Sequence, residues 1–423
     1  MVFLYYGDII LPNHTPDSSE GLQKQLIRRR LDVSGGALPL RAVAAWAGRY
    51  VHLDQPVNLR NSSKFLGRTT MLQLIFGLIL TVLATPILVR AAHRYNLLDR
   101  PDERKHHQGA IPVVGGLAMA FAIAVVAAWQ LADSDIFWGL FVSVSIIVVV
   151  GVLDDRNELP VRVRFLAQAT AGLVVSLFGG AQLASLGDLV GTGPVLLGVM
   201  AVPFTVFATV GVANAFNLSD GMDGLAGGLA MITAAFLAVA AYLSGSSETL
   251  VLLLILSGAL AGFLCFNMRL PWQCHAKIFM GDSGSLMLGF LLAWAVVRVT
   301  QADTNALPPA AALWFFAIPL LDTVSLMLRR VLKGRSPFHH DRDHLHHILA
   351  RAGYTDAQVV WLIHFAAVAF GLVGFYGWRA GLPDATLFYG FLSVFVVYFF
   401  GAAHAGKLMR LFGRTLGWSR PHV

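Results

Sequence analysis

The sequence predicts an all-α, polytopic integral membrane protein with about eleven transmembrane helices. Three observations carry this. Of the 423 residues, 56% are hydrophobic and only 13% are charged, and the mean hydropathy is +0.66, well above the apolar share of a soluble domain. The apolar residues gather in runs close to the roughly 20 residues that a helix needs to cross a bilayer core. The charged residues gather in the short stretches between those runs.

In chain order the runs lie near 72–90, 112–132, 136–153, 163–182, 194–213, 225–244, 249–267, 285–300, 309–328, 357–377 and 384–404. Residues 1–70 come before them and are polar and mixed, with Arg28, Arg29 and Arg30 in a row and no run long enough to span. They are expected to be a mostly disordered extension of a membrane domain covering 71–423. They do not read as a cleavable signal peptide, because no continuous apolar stretch and small-residue cleavage site follow the basic cluster.

Loop charge sets the orientation. Arg90, Arg94, Arg100, Arg104 and Lys105 follow the first run, Arg156, Arg162 and Arg164 the third, Arg269 and Lys277 the seventh, and Arg329, Arg330, Lys333, Arg335, Arg342 and Arg351 the ninth. The intervening loops 132–135, 244–248 and 301–306 carry no Lys or Arg. The positive-inside rule places the basic set, and the C-terminus with Lys407, Arg410 and Arg414, in the cytoplasm. The N-terminus then lies outside, yet Arg60, Lys64 and Arg68 stand directly before the first run, against the same rule. A start at Met71, with residues 1–70 dispensable, accounts for that conflict; an appended segment ordered by a partner or lying on the membrane surface is the rival account.

Chemistry concentrates in NAFNLSDGMDGLAGG, residues 214–228. Asn214 and Asn217 are three apart and share a helical face, and Gly221 and Gly224 signal a tight turn after them. Amide and carboxylate oxygens at a helix C-terminus suit a hard cation such as Mg²⁺. N-capping of the helix from Leu225 is the competing account for Asp223. Asp154 and Asp155 end a helix at the negative end of its dipole, which disfavours a carboxylate unless something positive is near. A metal, a bound basic group or general-base work on a phosphate or hydroxyl answers this, as does pairing with Arg156 or Arg164.

Asp282, in KIFMGDSGS (277–285), is a candidate N-cap, for which Ser283 competes, and also a candidate phosphate or metal contact. Phe279 reads as an interfacial aromatic or a stacking surface for a base. SPFHHDRDHLHH (336–347) brings His339, His340, Asp341, Arg342, Asp343, His344, His346 and His347 together. The loop lacks HExxH and a cysteine partner, so zinc is disfavoured against Mg²⁺ or Mn²⁺; it reads as a clamp that meets a diphosphate with Arg and His donors. Asp322, three residues after Pro319, is expected to help satisfy backbone opened by a proline kink. All these clusters, with DRPDERKHHQGAIPVVGG (99–116) and GVLDDR (151–156), fall on the cytoplasmic side, which points to one active site.

RKHHQGAIPVVGG, GVLDDR, NAFNLSDGMDGLAGG, KIFMGDSGS and SPFHHDRDHLHH resemble, in order and spacing, the motifs of the polyprenyl-phosphate N-acetylhexosamine 1-phosphate transferases. The resemblance runs from about residue 71 to the C-terminus. It implies transfer of a sugar 1-phosphate from a UDP-sugar to undecaprenyl phosphate with Mg²⁺. By the same resemblance, Asn217 and Asp282 match metal positions, Phe279 the uracil-stacking aromatic and Arg164 the diphosphate-contacting base. Asp154, Asp155, Asp220 and Asp223 match the catalytic acids, while Lys105, Asn214, Arg342, His344, His346 and His347 fall among the substrate-binding positions. The last loop resembles the branch that acts on UDP-GlcNAc more than the one that acts on UDP-MurNAc-pentapeptide, which carries three consecutive histidines. The extension before Met71 has no counterpart in the family.

Other classes fit less well. A multi-pass sugar-phosphate transporter would place charges at the membrane midplane and repeat its halves, whereas here the acids sit at run ends and no repeat is visible. A dead scaffold would not keep every acid. The net charge of +7 does not mark nucleic-acid binding, since the basic residues form no stripe with interleaved aromatics; lipid phosphate and a cytoplasmic face explain them. Cys265 and Cys274 make no disulfide framework. The oligomeric state is left open, and a homodimer is compatible.

Overall fold

A computed structural model describes residues 59–100, 109–336 and 343–404, with side chains from Met71 onward. The chain divides into two compact units, residues 1–62 and 63–423, and the fold described is that of the second. Among the described residues its regular structure is helical apart from two two-residue strands. The elements are α1 (Leu59–Tyr95), β1 (Leu98–Asp99), β2 (Ile111–Pro112), α2 (Gly115–Leu131), α3 (Phe137–Asn157), α4 (Val161–Phe178) and α5 (Ala201–Leu218). They continue with α6 (Leu225–Leu243), α7 (Ser247–Asn267), α8 (Gly281–Thr300), α9 (Pro309–Phe315), α10 (Ala317–Leu332), α11 (Leu345–Arg351), α12 (Asp356–Arg379) and α13 (Asp384–Ala403).

Nine helices among the described residues are long and apolar enough to cross a membrane. Two of the eleven expected spans differ. The run at 112–132 folds as α2, a shorter apolar helix of 17 residues. The run at 309–328 is the pair α9 and α10, bent by 88°. The bend is at Phe316, where α9 ends and α10 begins, and not at Pro319. That proline occupies the first turn of α10, where its missing N–H is no loss.

α8 is the pillar of the bundle: sixteen of its twenty residues are buried, with Trp294 fully enclosed. A helix apolar all round belongs in the interior. Lipid tails are as apolar as leucine, so close backbone approach through small residues does the packing. A Cβ on Gly116 of α2 would lie 2.3 Å from the Gly284 backbone, one on Gly151 of α3 would lie 2.3 Å from Ser283, and one on Gly289 would lie 2.6 Å from Ala213 of α5. Three helices thus lie directly on α8. Gly228 similarly admits the ring of His364 from α12, whose Nε2 stands 3.2 Å from the Leu225 carbonyl.

Consecutive spans alternate in direction, so one face gathers the end of α3, the start of α4, the α5–α6 turn, the start of α8 and the start of α12. The opposite face is tied by Arg298, which bonds the Gly180 carbonyl and pairs with Glu248, and by Gln301, which bonds the Ser185 backbone. On the first face β1 and β2 pair antiparallel. Phe279 then extends that pairing, taking the Pro112 carbonyl and offering its own to Gly115.

Candidate active site

Each acid of the third run has a positive partner. Asp154, in the last turn of α3, accepts the Leu159 N–H and pairs with Arg164 at 2.7 Å. The chain leaves α3 through Glu158 in a left-handed conformation, which brings Arg164, at the start of α4, back over it. Asp155 accepts the N–H groups of Asp282 at 2.7 Å and Ser283 at 3.3 Å. It therefore sits on the positive end of α8, and the unfavourable end of one helix dipole is offset by the favourable end of another. Gly281, at φ +74°, makes room for this: a Cβ there would meet the Asp155 carboxylate.

Asp282 does not cap α8. The helix begins after Met280 with no side-chain cap, and Asp155 supplies the acceptor. Asp282 instead faces the other polar groups: Asn217 donates to it at 2.6 Å and Arg164 lies 3.6 Å away. Asn217 also bonds Ser285 at 3.0 Å. Asn214, expected to share this role, is turned to α4, where it bonds the buried Gln168, and to its own helix at Val210. The two asparagines of one helical face therefore serve different neighbours.

The α5–α6 turn separates its two acids as well. Asp220 is exposed at its surface yet ringed by protein. Burial, then the charges of Asp155 and Asp223, push its carboxyl up to about 7. Asp223 does not cap α6, whose first turn follows Gly224 with no side-chain cap. Its carboxylate accepts from Arg269 at 2.8 Å and from the Ala276 N–H, and Arg269 reaches on to Asp356 at the start of α12, at 2.9 Å. Burial works against the Arg269 charge, but Asp223 and Asp356 outweigh it and hold the guanidinium above its ordinary value. Asp223→Asn and Arg269→Ala are expected to lower stability alike, by about 1 kcal/mol because a third of Arg269 stays open to solvent. The double variant should be no worse than either in thermal unfolding. A turnover loss in Asp223→Asn far beyond that of Arg269→Ala would give Asp223 chemistry of its own.

The histidine loop reaches the same turn from α10. His346 is buried and packs on Gly221, where a Cβ would stand 2.4 Å from its Nε2. Burial, with the neighbouring His347 and His344, drives its imidazole down to about 3, which favours a neutral ring with a single N–H to donate. His344 lies parallel to it at 5.7 Å and His347 tilts against it at 4.2 Å. Asp322 makes no bond to backbone at the α9–α10 break: it accepts from His344, Leu345 and Tyr398. Lys105, His339, His340, Asp341 and Arg342 lie outside the described residues.

Sequence reading missed Asn267, which donates to the Ile278 carbonyl and accepts the Gly224 N–H, joining the central turn to the loop before α8. A buried amide at the end of an apolar run was the signal. It also missed Gln168, Ser285 and Arg269 as partners of named residues, and nothing local marks those pairings.

No three acid, histidine or cysteine side chains among the described residues stand together as a ready metal cage. The donor set still fits a hard divalent ion of the Mg²⁺ type, which keeps its waters and takes one or two carboxylates along with substrate phosphates. Asp282 supplies one carboxylate and Asn217 an amide oxygen beside it, and Arg164 between Asp154 and Asp282 marks where the acids call for positive charge.

The model of glycosyl transferase family 4 matches residues 137–300, the segment from α3 to the end of α8. Proteins named undecaprenyl-phosphate alpha-N-acetylglucosaminyl 1-phosphate transferase are similar over most of the chain. The one from Escherichia coli O157:H7 is 33% identical over 77% of this chain and 89% of its own length. That from Yersinia pestis is 34% identical over 82% and 95%, and that from Haemophilus influenzae 33% identical over 79% and 95%. With the acids of three loops gathered at the head of α8, the chain belongs to the polyprenyl-phosphate sugar-1-phosphate transferases of glycosyl transferase family 4.

Proposed function

We propose that this protein transfers GlcNAc 1-phosphate from UDP-GlcNAc to undecaprenyl phosphate at the cytoplasmic face of a bacterial inner membrane. An oxygen of the lipid phosphate attacks the β-phosphorus of UDP-GlcNAc; the bond from that phosphorus to the bridging oxygen breaks; and undecaprenyl-pyrophosphoryl-GlcNAc and UMP result. The observation that carries this reading is the meeting of Asp154, Asp155, Asn217, Asp282 and Arg164 around the N-terminus of α8. A charged diphosphate needs a cationic, dipole-lined cradle beside acids that hold a metal.

Mg²⁺, or Mn²⁺ in its place, would neutralise the diphosphate and the departing UMP, with Asn217 and Asp282 as its holders. Arg164 would turn from Asp282 to a phosphate oxygen. Phe279, half-buried beside the strand pairing, would be the surface for the uracil, and Asp220 would take a proton. The basic loops on this face support its cytoplasmic placement.

Purified protein incubated with UDP-GlcNAc, undecaprenyl phosphate and Mg²⁺ should release UMP and a lipid-linked sugar. Failure to do so at high concentrations of both substrates would reject the enzyme, and uptake of a sugar phosphate into vesicles would favour a transporter. Turnover with another UDP-N-acetylhexosamine or UDP-MurNAc-pentapeptide in place of UDP-GlcNAc would keep the chemistry and change the sugar.

Since Asp220 keeps its proton until about pH 7, its ionised fraction, and with it turnover, should rise about tenfold between roughly pH 6 and pH 8. The sign is opposite for stability, because ionisation is disfavoured in the folded state: stability should fall as pH rises from the ordinary carboxylate range towards 7. Asp220→Asn should flatten both slopes. A pH–rate profile unchanged by that substitution would assign the titration elsewhere.

A further inference from the structure

Asp322 is 5% exposed, and three groups from two other elements converge on its carboxylate. His344 Nδ1 lies 2.8 Å from one oxygen. The other oxygen accepts the N–H of Leu345, the first residue of α11, at 3.0 Å and the hydroxyl of Tyr398 in α13 at 2.7 Å. The same carboxylate accepts from Leu345 and Tyr398, and when it is ionised it only accepts, which calls for a proton on His344 Nδ1. From there the contacts run on to the central turn, through the parallel rings of His344 and His346 to Gly221.

A tie between α10, α11 and α13 needs only an acceptor, and a neutral amide supplies one at a smaller penalty than an acid at membrane depth. What a carboxylate adds is control of the histidine tautomer. We propose that Asp322 is a positioning residue of the active site. It fixes His344 with Nδ1–H, leaves Nε2 as an acceptor that can take a hydrogen bond from a substrate hydroxyl, and pins the start of α11 so that His346 seats on Gly221; Tyr398 completes the acceptor's shell from the last span. This rests on the transferase reading for its substrate and on the geometry alone for the tautomer.

The test uses the full chain in lipid nanodiscs. Asp322→Asn keeps size and an acceptor but presents an amide donor to Nδ1. Its kcat/KM for UDP-GlcNAc should fall about 10- to 100-fold, with the KM for undecaprenyl phosphate unchanged. The double variant Asp322→Asn, His344→Gln should be no worse than the weaker single variant, as for groups that act as one unit. Tyr398→Phe, which spares the carboxylate, should lose less than about tenfold and serves if Asp322→Asn does not fold. ¹⁵N spectra of histidine-labelled protein should show His344 protonated on Nδ1 in the wild type and on Nε2 alone in Asp322→Asn. Wild-type kinetics in Asp322→Asn, additive losses in the double variant, or a wild-type His344 protonated on Nε2 alone would each overturn the proposal. Wild-type protein that releases no UMP would reject the transferase reading, while the spectra still decide the tautomer.

Discussion

Asp282→Ala is expected to lower turnover by about two to three orders of magnitude, the scale of losing metal or transition-state charge stabilisation, while leaving the protein folded. The separation of the two effects follows from its neighbours. Asp282 gives α8 no cap, since Asp155 does that. What it holds is the Asn217 amide and a distant share of Arg164. Asn217 keeps Ser285 when the carboxylate is gone, and Arg164 keeps Asp154. Asp282 also stands among like charges, which oppose one another in the folded state, so its removal should leave thermal stability level or raised. Loss of function with gain of stability is the signature of a residue retained for chemistry. Asn217→Ala should behave alike, with activity partly recovered at high Mg²⁺ if one ligand remains. Near-normal turnover of either variant at limiting Mg²⁺ would remove this pair from the metal's ligands.

The sequence disclosed the members of this site more readily than their partners. In a chain so apolar, carboxylates and amides at the ends of runs are conspicuous, and Asp154, Asp155, Asn217, Asp220 and Asp282 do come to one face. Their pairings were not visible, because hydropathy reports where a residue can lie and not what lies opposite. Asp223 looked like a cap from its place before Leu225, yet it caps nothing and its partner Arg269 is 46 residues away. Asp322 looked like a response to Pro319, yet its ligands come from the histidine loop and from Tyr398, 76 residues on. The proline was the stronger local signal and the wrong one: a ring in the first turn of a helix disturbs nothing, and the chain breaks three residues earlier, at Phe316. His346 was read by its residue type as a donor to anions; burial lowers its affinity for a second proton, so any such donation comes from the one N–H of a neutral ring.

Gly151 shows the same limit in a residue that carries no chemistry, and its replacement is expected to be severe. It opens the stretch GVLDDR three residues ahead of Asp154, and nothing in that stretch says why a glycine stands there. The reason is Ser283: a Cβ on Gly151 would lie 2.3 Å from its Cα and 2.5 Å from its nitrogen, backbone atoms that cannot turn aside. Gly151→Ala must therefore push α3 away from α8. Overpacking of this kind destabilises by about 1–3 kcal/mol, since no lipid-driven force restores the contact. The displacement falls on the site, because Asp155 reaches the N-terminus of α8 through bonds of 2.7 and 3.3 Å, and neither tolerates much added separation. Misplacement of about 1 Å costs a catalytic constellation on the order of 10²-fold, so Gly151→Ala should lose both stability and turnover, whereas Asp282→Ala loses turnover alone. Thermal unfolding and UMP release measured on the two variants together distinguish the roles. A Gly151→Ala protein with wild-type melting and activity would show that α3 and α8 do not make this contact in the membrane.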